Sequence, residues 1–154
     1  MRAKSLLKII IIIGLVVLAV VWFFLRSATI IRVDGAAVYV QYLPLTIDGK
    51  IKWWNENKKT ILSRYAFSEK PSSITIMIMN FDGYVQLPTG SNDGSADDYH
   101  CFRDIPHHNK CIYNDIAMVI TGDVNNRMFI HLNDKTFIQA PDGKLTALYN
   151  ASMQ

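Results

Sequence analysis

Ile9 to Leu25 reads IIIIIGLVVLAVVWFFL, seventeen consecutive residues without a charged or polar side chain. A helix that is apolar on every face needs an apolar surround, which a small soluble domain seldom offers. At a rise of about 1.5 Å per residue the stretch spans roughly 25 Å, and Leu6 and Leu7 bring it near the roughly 30 Å hydrocarbon core of a bilayer. The sequence therefore predicts a transmembrane helix over residues 9–25, with the lipid bilayer as the first partner of the chain. Arg2, Lys4 and Lys8 precede the run with no acidic residue among them, which keeps residues 1–8 in the cytoplasm and exports the chain beyond the run. Trp22, Phe23 and Phe24 cluster at the exit, where aromatic rings favour the membrane–water interface, and Arg26 marks the boundary. A cleaved signal peptide shares the basic start and apolar core. Its small-x-small cleavage site is missing, because cleavage after Ala28 would leave Arg26 three positions before the cut and cleavage after Ser27 would leave Leu25 there.

Residues 27–154 are enough for one domain with a real core and too few for two. The formal net charge is +3. With the flanking Arg2, Lys4, Lys8 and Arg26 set aside, however, 12 basic residues face 13 acidic ones. A near-neutral domain lacks the clustered basic surface that nucleic-acid binding requires. Cys101 and Cys111 both fall in the exported part, where thiols oxidise, so a disulfide between them is expected. Closing a loop of about ten residues stabilises a domain by roughly 2 to 3 kcal/mol.

Local patterns then predict an α+β domain, in which one amphipathic helix packs on a mostly antiparallel sheet. Thr29–Val33 and Val38–Tyr42 flank the turn pair Asp34-Gly35 as a hairpin. Thr46 or Asp48 can cap a helix that runs to Tyr65. In it Ile51, Trp54, Lys58, Ile61, Leu62 and Tyr65 draw one mostly apolar stripe, with Asn55, Glu56, Lys59 and Ser63 off it. Ile74–Phe81 is apolar on both alternating faces and reads as a central strand. Tyr84–Leu87 reads as a short strand, residues 88–95 as a loop, and Tyr99–Phe102 and Cys111–Tyr113 flank an irregular segment containing Pro106. Ile116–Thr121, Arg127–Leu132, Thr136–Ala140 and Lys144–Leu148, each separated by Gly, Asn, Asp or Pro, have the spacing of an antiparallel meander. No stretch repeats at a fixed period.

The side chains that could carry chemistry are few. His100, Cys101, His107, His108 and Cys111 are zinc-ligand types, but their spacing matches no finger or ribbon, and paired sulfurs offer no thiolate. His100, His107 and His108 are thus the residues of a weaker metal alternative, and no cofactor is expected. Asp93, Asp97 and Asp98 lack the alternating oxygens and distal glutamate of a calcium loop. Ser95, Asp98 and His100 are close in sequence without the strained elbow of an acyl-transfer nucleophile, and carboxylates are scattered singly. The chain is not expected to be an enzyme. Trp53 and Trp54 point about 100° apart on a helix. Trp54 falls on the apolar stripe, and Trp53 at its edge is a candidate partner contact if exposed, with half-buried packing as the more ordinary reading. Tyr39, Phe129 and His131 point away from the aliphatic sides of their strands and would form a second contact surface on an open sheet face.

The run Ile47-Asp48-Gly49-Lys50-Ile51-Lys52-Trp53-Trp54-Asn55-Glu56-Asn57-Lys58, the Cys101-Phe102-x-Asp104 and Cys111-Ile112 pairs, and the late Thr136-Phe137-Ile138-Gln139 with Asp142-Gly143-Lys144 together resemble the enterobacterial putative membrane protein family, a domain of unknown function. The resemblance covers nearly the whole chain in order, with the Trp-Trp helix its most specific element. It implies a bacterial inner-membrane anchor with a periplasmic domain, and it brings no activity and no catalytic residues. The expected role is a protein-binding module with a protein partner, immunity against an imported toxin being one concrete version. The alternative is a periplasmic enzyme or metal-binding protein using the His/Cys loop 100–111.

Overall fold

A computed structural model of the chain describes residues 8, 11–18, 21, 26–64, 74–89 and 94–148. Residues 11–18 are helical and exposed. Among the described residues no helix is long and apolar enough to cross a membrane, and the remainder of the span expected at 9–25 lies outside them.

The fold is α+β. Its elements run β1 (Thr29–Asp34), β2 (Ala37–Gln41), α1 (Ile47–Arg64), β3 (Thr75–Asn80), β4 (Tyr99–Cys101), β5 (Cys111–Tyr113), β6 (Ile116–Gly122), β7 (Met128–Leu132), β8 (Lys135–Gln139) and β9 (Leu145–Leu148). Seven strands form one sheet in the order β1-β2-β3-β6-β7-β8-β9, and β4 pairs with β5 in a separate two-stranded sheet. Every pairing is antiparallel except β2 with β3. Parallel neighbours cannot be joined by a tight turn, and α1 is the crossover that joins these two. The expected hairpin and meander are present. Gly35 supplies the left-handed backbone of the first turn, with φ +54°, while Asn126 and Asn133 do so in the meander, at +58° and +52°.

The start of α1 follows from its cap. Thr46 Oγ1 accepts the Gly49 N–H at 3.1 Å and its carbonyl accepts the Lys50 N–H at 2.9 Å, which satisfies two of the donors a helix start leaves open. Gly49 is required by close approach: a Cβ there would lie 2.7 Å from Pro44 Cβ and 2.8 Å from Thr46 Oγ1. Ile51, Trp54 and Ile61 are buried along the predicted stripe, where Lys58 and Leu62 are partly buried; Tyr65 lies outside the described residues. They meet Val38, Val40, Ile76, Ile78, Met118, Ile120, Ile130 and Leu132 from four neighbouring strands. Fully burying a side chain such as Ile61 contributes about 1.5 to 3 kcal/mol.

A second, smaller core lies on the opposite face of the sheet, where Ala37, Tyr39, Met79 and Phe81 pack with Phe102 and Ile112. Strands β2 and β3 are therefore covered twice, which is why Ile74–Phe81 carries no polar face. One expected strand is absent: Tyr84–Leu87 makes only a single bridge, Val85 with Cys111, through bonds of 2.8 and 3.0 Å. Pro88 follows within three residues and has no N–H with which to extend a ladder.

Candidate functional site

The outer face of the sheet is divided into a covered half and an open half. The cover is the hairpin β4–β5 and the loop between its strands. Cys101 and Cys111 are directly opposite one another in the pair and are joined by a disulfide. The backbone N–H and C=O of Cys111 turn the other way, to Val85, so the two cysteines occupy a non-hydrogen-bonded position, where facing side chains come nearest. Phe102, 2% exposed, is pressed into the second core, with its ring edge-on to Tyr39 at 5.5 Å and to Tyr84 at 5.9 Å.

Two polar contacts pin this flap to β1. The Arg32 guanidinium lies 4.0 Å over the Phe102 ring and donates two hydrogen bonds to the Asp104 carboxylate, at 2.8 and 2.7 Å. Those bonds hold the Asp104 carboxyl below the usual carboxylate range and the Arg32 guanidinium above its ordinary value. His100 Nε2 meets Asp34 Oδ2 at 3.0 Å. His100 is thus engaged at the flap's edge, whereas His107 and His108 are exposed and lean on each other with ring centroids 3.9 Å apart and planes 32° from parallel. The two sulfurs are bonded to each other and offer no thiolate. Among the described residues no group of three or more His, Cys, Asp or Glu side chains is placed to hold a metal ion. Ser95 Oγ accepts the Asp97 N–H at 3.3 Å and caps a single 3-10 turn over Ala96–Asp98. Asp93 lies outside the described residues.

Of the four side chains expected to meet a partner, Trp53, Tyr39, Phe129 and His131, two are turned inward. Tyr39 is 3% exposed beneath the flap and Trp53 is 6% exposed in the main core. Burial pushes the Tyr39 hydroxyl above the usual tyrosine range, and the Asp34 carboxylate adds to that. Trp53 is buried although it stands off the helix stripe, because the chain between β2 and α1 folds back over it: Leu43 and Trp53 belong to the same core cluster. Nothing in the local spacing signals that.

Phe129 is different. It lies on the open half, where Val119, Thr121, Phe129, His131, Thr136 and Ile138 line up across β6, β7 and β8 by register and are all half-buried. Neither core cluster includes them. The rings of Phe129 and His131 are nearly parallel, with centroids 6.4 Å apart. His131 bridges Thr121 and Thr136 through its two ring nitrogens, at 3.3 and 3.0 Å. Arg127, tied to Asp123 at 2.8 Å, lies 5.8 Å from the Phe129 ring. The result is an aromatic and aliphatic centre within a fixed polar frame. It continues to β9, all four of whose residues are exposed and whose outer edge is unpaired among the described residues.

At one end of the sheet a groove of about 830 Å³ opens between the end of β2 and the first turns of α1, with Arg26, Tyr42, Leu45, Lys52 and Trp53 on its walls. A second groove of about 410 Å³ shares Asn80, Asp82 and Asp115 with it. Asn80 Nδ2 donates to Asp115 Oδ2 at 2.8 Å across that shared wall, an arrangement that can orient a polar group but presents no nucleophile beside a base.

Over residues 1–149 the sequence matches a family model described as "Enterobacterial putative membrane protein (DUF943)". No curated protein and no solved structure matches the chain.

Proposed function

Because the chain belongs to the enterobacterial putative membrane protein family, we propose that it is a single-pass inner-membrane protein whose periplasmic domain is a protein-binding module, with its partner seated on the open half of the sheet. The apolar run at residues 9–25 and the one-sided charge of Arg2, Lys4 and Lys8 support the anchor and its orientation. The Cys101–Cys111 disulfide supports an oxidising compartment. The observation that carries the binding role is the asymmetry of the outer face. A disulfide-closed flap covers β2 and β3, while Val119, Phe129 and Ile138 beside it stay half exposed, framed by Thr121, His131 and Thr136. An aromatic anchor among desolvatable aliphatic groups, rimmed by hydrogen-bonding side chains, is the pattern of an interface core. The exposed edge of β9 adds backbone donors and acceptors on which a partner strand can align.

Immunity suits this arrangement: an anchored domain would hold an imported toxin at the membrane by occupying its surface, and this needs no catalytic group. The test is survival. Cells carrying a toxin encoded beside this gene should live when the chain is present and die when it carries Phe129→Asp, with the variant still in the membrane fraction and its disulfide still formed. Protection by Phe129→Asp equal to that of the native chain would sink the open face as the binding surface. A reporter fused after Gln154 should be active only when exported; activity in the cytoplasm would reverse the topology. Stoichiometric zinc in the purified protein, lost on His100→Ala, would favour the metal-binding alternative instead.

A further inference from the structure

One end of the sheet carries an exposed loop close to Arg26. Strand pairing puts the start of β1, the end of β2 and the end of β3 at one end, with Thr29 opposite Gln41 and Val40 opposite Asn80. Arg26, the first residue after the apolar run, belongs to that end: its guanidinium carbon lies 4.6 Å from the centre of the Tyr42 ring. If residues 9–25 cross the bilayer, Tyr42 stands no farther from the membrane exit than one arginine side chain reaches.

The surroundings of Tyr42 are unusual for a loop in water. Tyr42 is 47% exposed and Leu45, three residues on, is 76% exposed. Pro44 between them stiffens the loop. Tyr42 also holds φ +59°, and among the described residues no other side chain besides asparagine adopts the left-handed region. For an L-residue other than Gly or Asn this conformation is strained, because Cβ crowds the backbone. Asparagine would relieve the strain, whereas the tyrosine places a large amphipathic ring at this position. Arg26 and Lys52 lie on the groove behind the loop together with the carboxylates Glu56, Asp82 and Asp115, and Lys52 Nζ is 3.9 Å from Glu56, so the loop's apolar and aromatic side chains rather than a net positive charge mark this end.

We infer that the loop Tyr42–Leu45 is a membrane-seating loop, with Leu45 in the acyl boundary of the outer leaflet and the Tyr42 ring at headgroup level beside Arg26. A tyrosine with an apolar body and a polar tip, an arginine stacked on it and an adjacent exposed leucine are the elements of an interfacial belt. Seating would fix the domain's tilt, so that the open face of β6–β8 stands upright from the membrane rather than swinging on a single strand of chain. The inference rests on the anchor proposed above, and it predicts a second, independent point of contact.

The test uses the full chain in vesicles of phosphatidylethanolamine and phosphatidylglycerol. A Leu45→Cys variant takes an environment-sensitive fluorophore at that position alone, because the native cysteines are paired and none is free. Val124, 84% exposed in the turn after β6 at the opposite end of the sheet, serves as the control through Val124→Cys. The fluorophore at position 45 should emit at shorter wavelength and be quenched by headgroup-level nitroxide lipids at least about threefold more than at position 124. Adding Tyr42→Asn should lower the quenching at position 45 without lowering the unfolding midpoint, since asparagine accepts that backbone. A chain that leaves the vesicles in alkaline carbonate would overturn the anchor. An anchored chain whose position 45 is quenched no more than position 124 would overturn the seating loop alone.

Discussion

Arg32 of β1 and Asp104 of the flap, 72 residues apart in sequence, face each other in two parallel hydrogen bonds of 2.8 and 2.7 Å. The same guanidinium covers the Phe102 ring, so one side chain joins the flap's charged edge to its buried aromatic centre. The relationship makes the flap a packed part of the domain rather than a loop lying on it.

The pH dependence of that contact follows in sign from the lowered Asp104 carboxyl. A carboxyl held lower in the folded chain than in the unfolded one contributes stability above its unfolded value near 3.8, and the contribution disappears as the pH falls through the folded value. Asp104→Asn should therefore unfold at lower temperature than the native chain at about pH 7, and the two curves should converge in acid, once the pH has fallen through the folded value of that carboxyl. Thermal unfolding of the detergent-solubilised chain at the two pH values measures it. A gap that persists unchanged in acid would remove the ion pair as its cause. Asp123 is lowered in the same way by Arg127, and comparison with the variant cancels its share.

Loss of the disulfide should act on the flap first. Replacing Cys101 or Cys111 by Ser should lower the stability of the domain by about 2 to 4 kcal/mol. Cys111→Ser should cost the more, because Cys111 is 1% exposed and the new hydroxyl would be buried. Denaturant titration gives the energies, while thiol alkylation of the denatured, non-reduced native chain should modify neither cysteine until a reductant is added.

Gly49→Ala is expected to destabilise even though it improves helix propensity. Alanine gains about 1 kcal/mol over glycine inside a helix, but its Cβ would lie 2.7 Å from Pro44 and 2.8 Å from the capping Thr46 oxygen. Forcing them apart costs about 1 to 3 kcal/mol and moves the Tyr42–Leu45 loop. An unfolding midpoint above that of the native chain would contradict the close approach.

Gln139, 3% exposed, is the one buried polar residue among those described, and it links α1 to β8. It accepts from Lys58 Nζ at 2.9 Å and donates to Asn55 Oδ1 at 2.8 Å. Burial, and then the neighbouring Lys59, holds the Lys58 ammonium below the usual lysine range. Gln139→Leu should cost about 1 to 3 kcal/mol by leaving that half-buried ammonium without an acceptor. The double variant Lys58→Met, Gln139→Leu should recover at least about 1 kcal/mol. Strict additivity in this cycle would show that the two side chains do not share a contact.

Element identity was largely legible along the chain, because the signals that make a helix or strand are local. The stripe of Ile51, Trp54 and Ile61, the two-faced apolar run Ile74–Phe81, the meander's turn residues and the parity of the two cysteines each act within a few positions. The candidate surface was half legible for the same reason: alternation assigned both Tyr39 and Phe129 to the outer face of the sheet. Only the assembled chain decided that Tyr39 is buried under Phe102 while Phe129 stays open, since the covering flap begins some sixty residues after Tyr39 and alternation carries no information about what arrives from a distance. Tertiary structure likewise decided the parallel pairing of β2 with β3, the withdrawal of β4 and β5 into their own small sheet, and the burial of Trp53. Each depends on which apolar faces are matched across long loops, and that matching is settled by the total area removed from water rather than by any short pattern of residues.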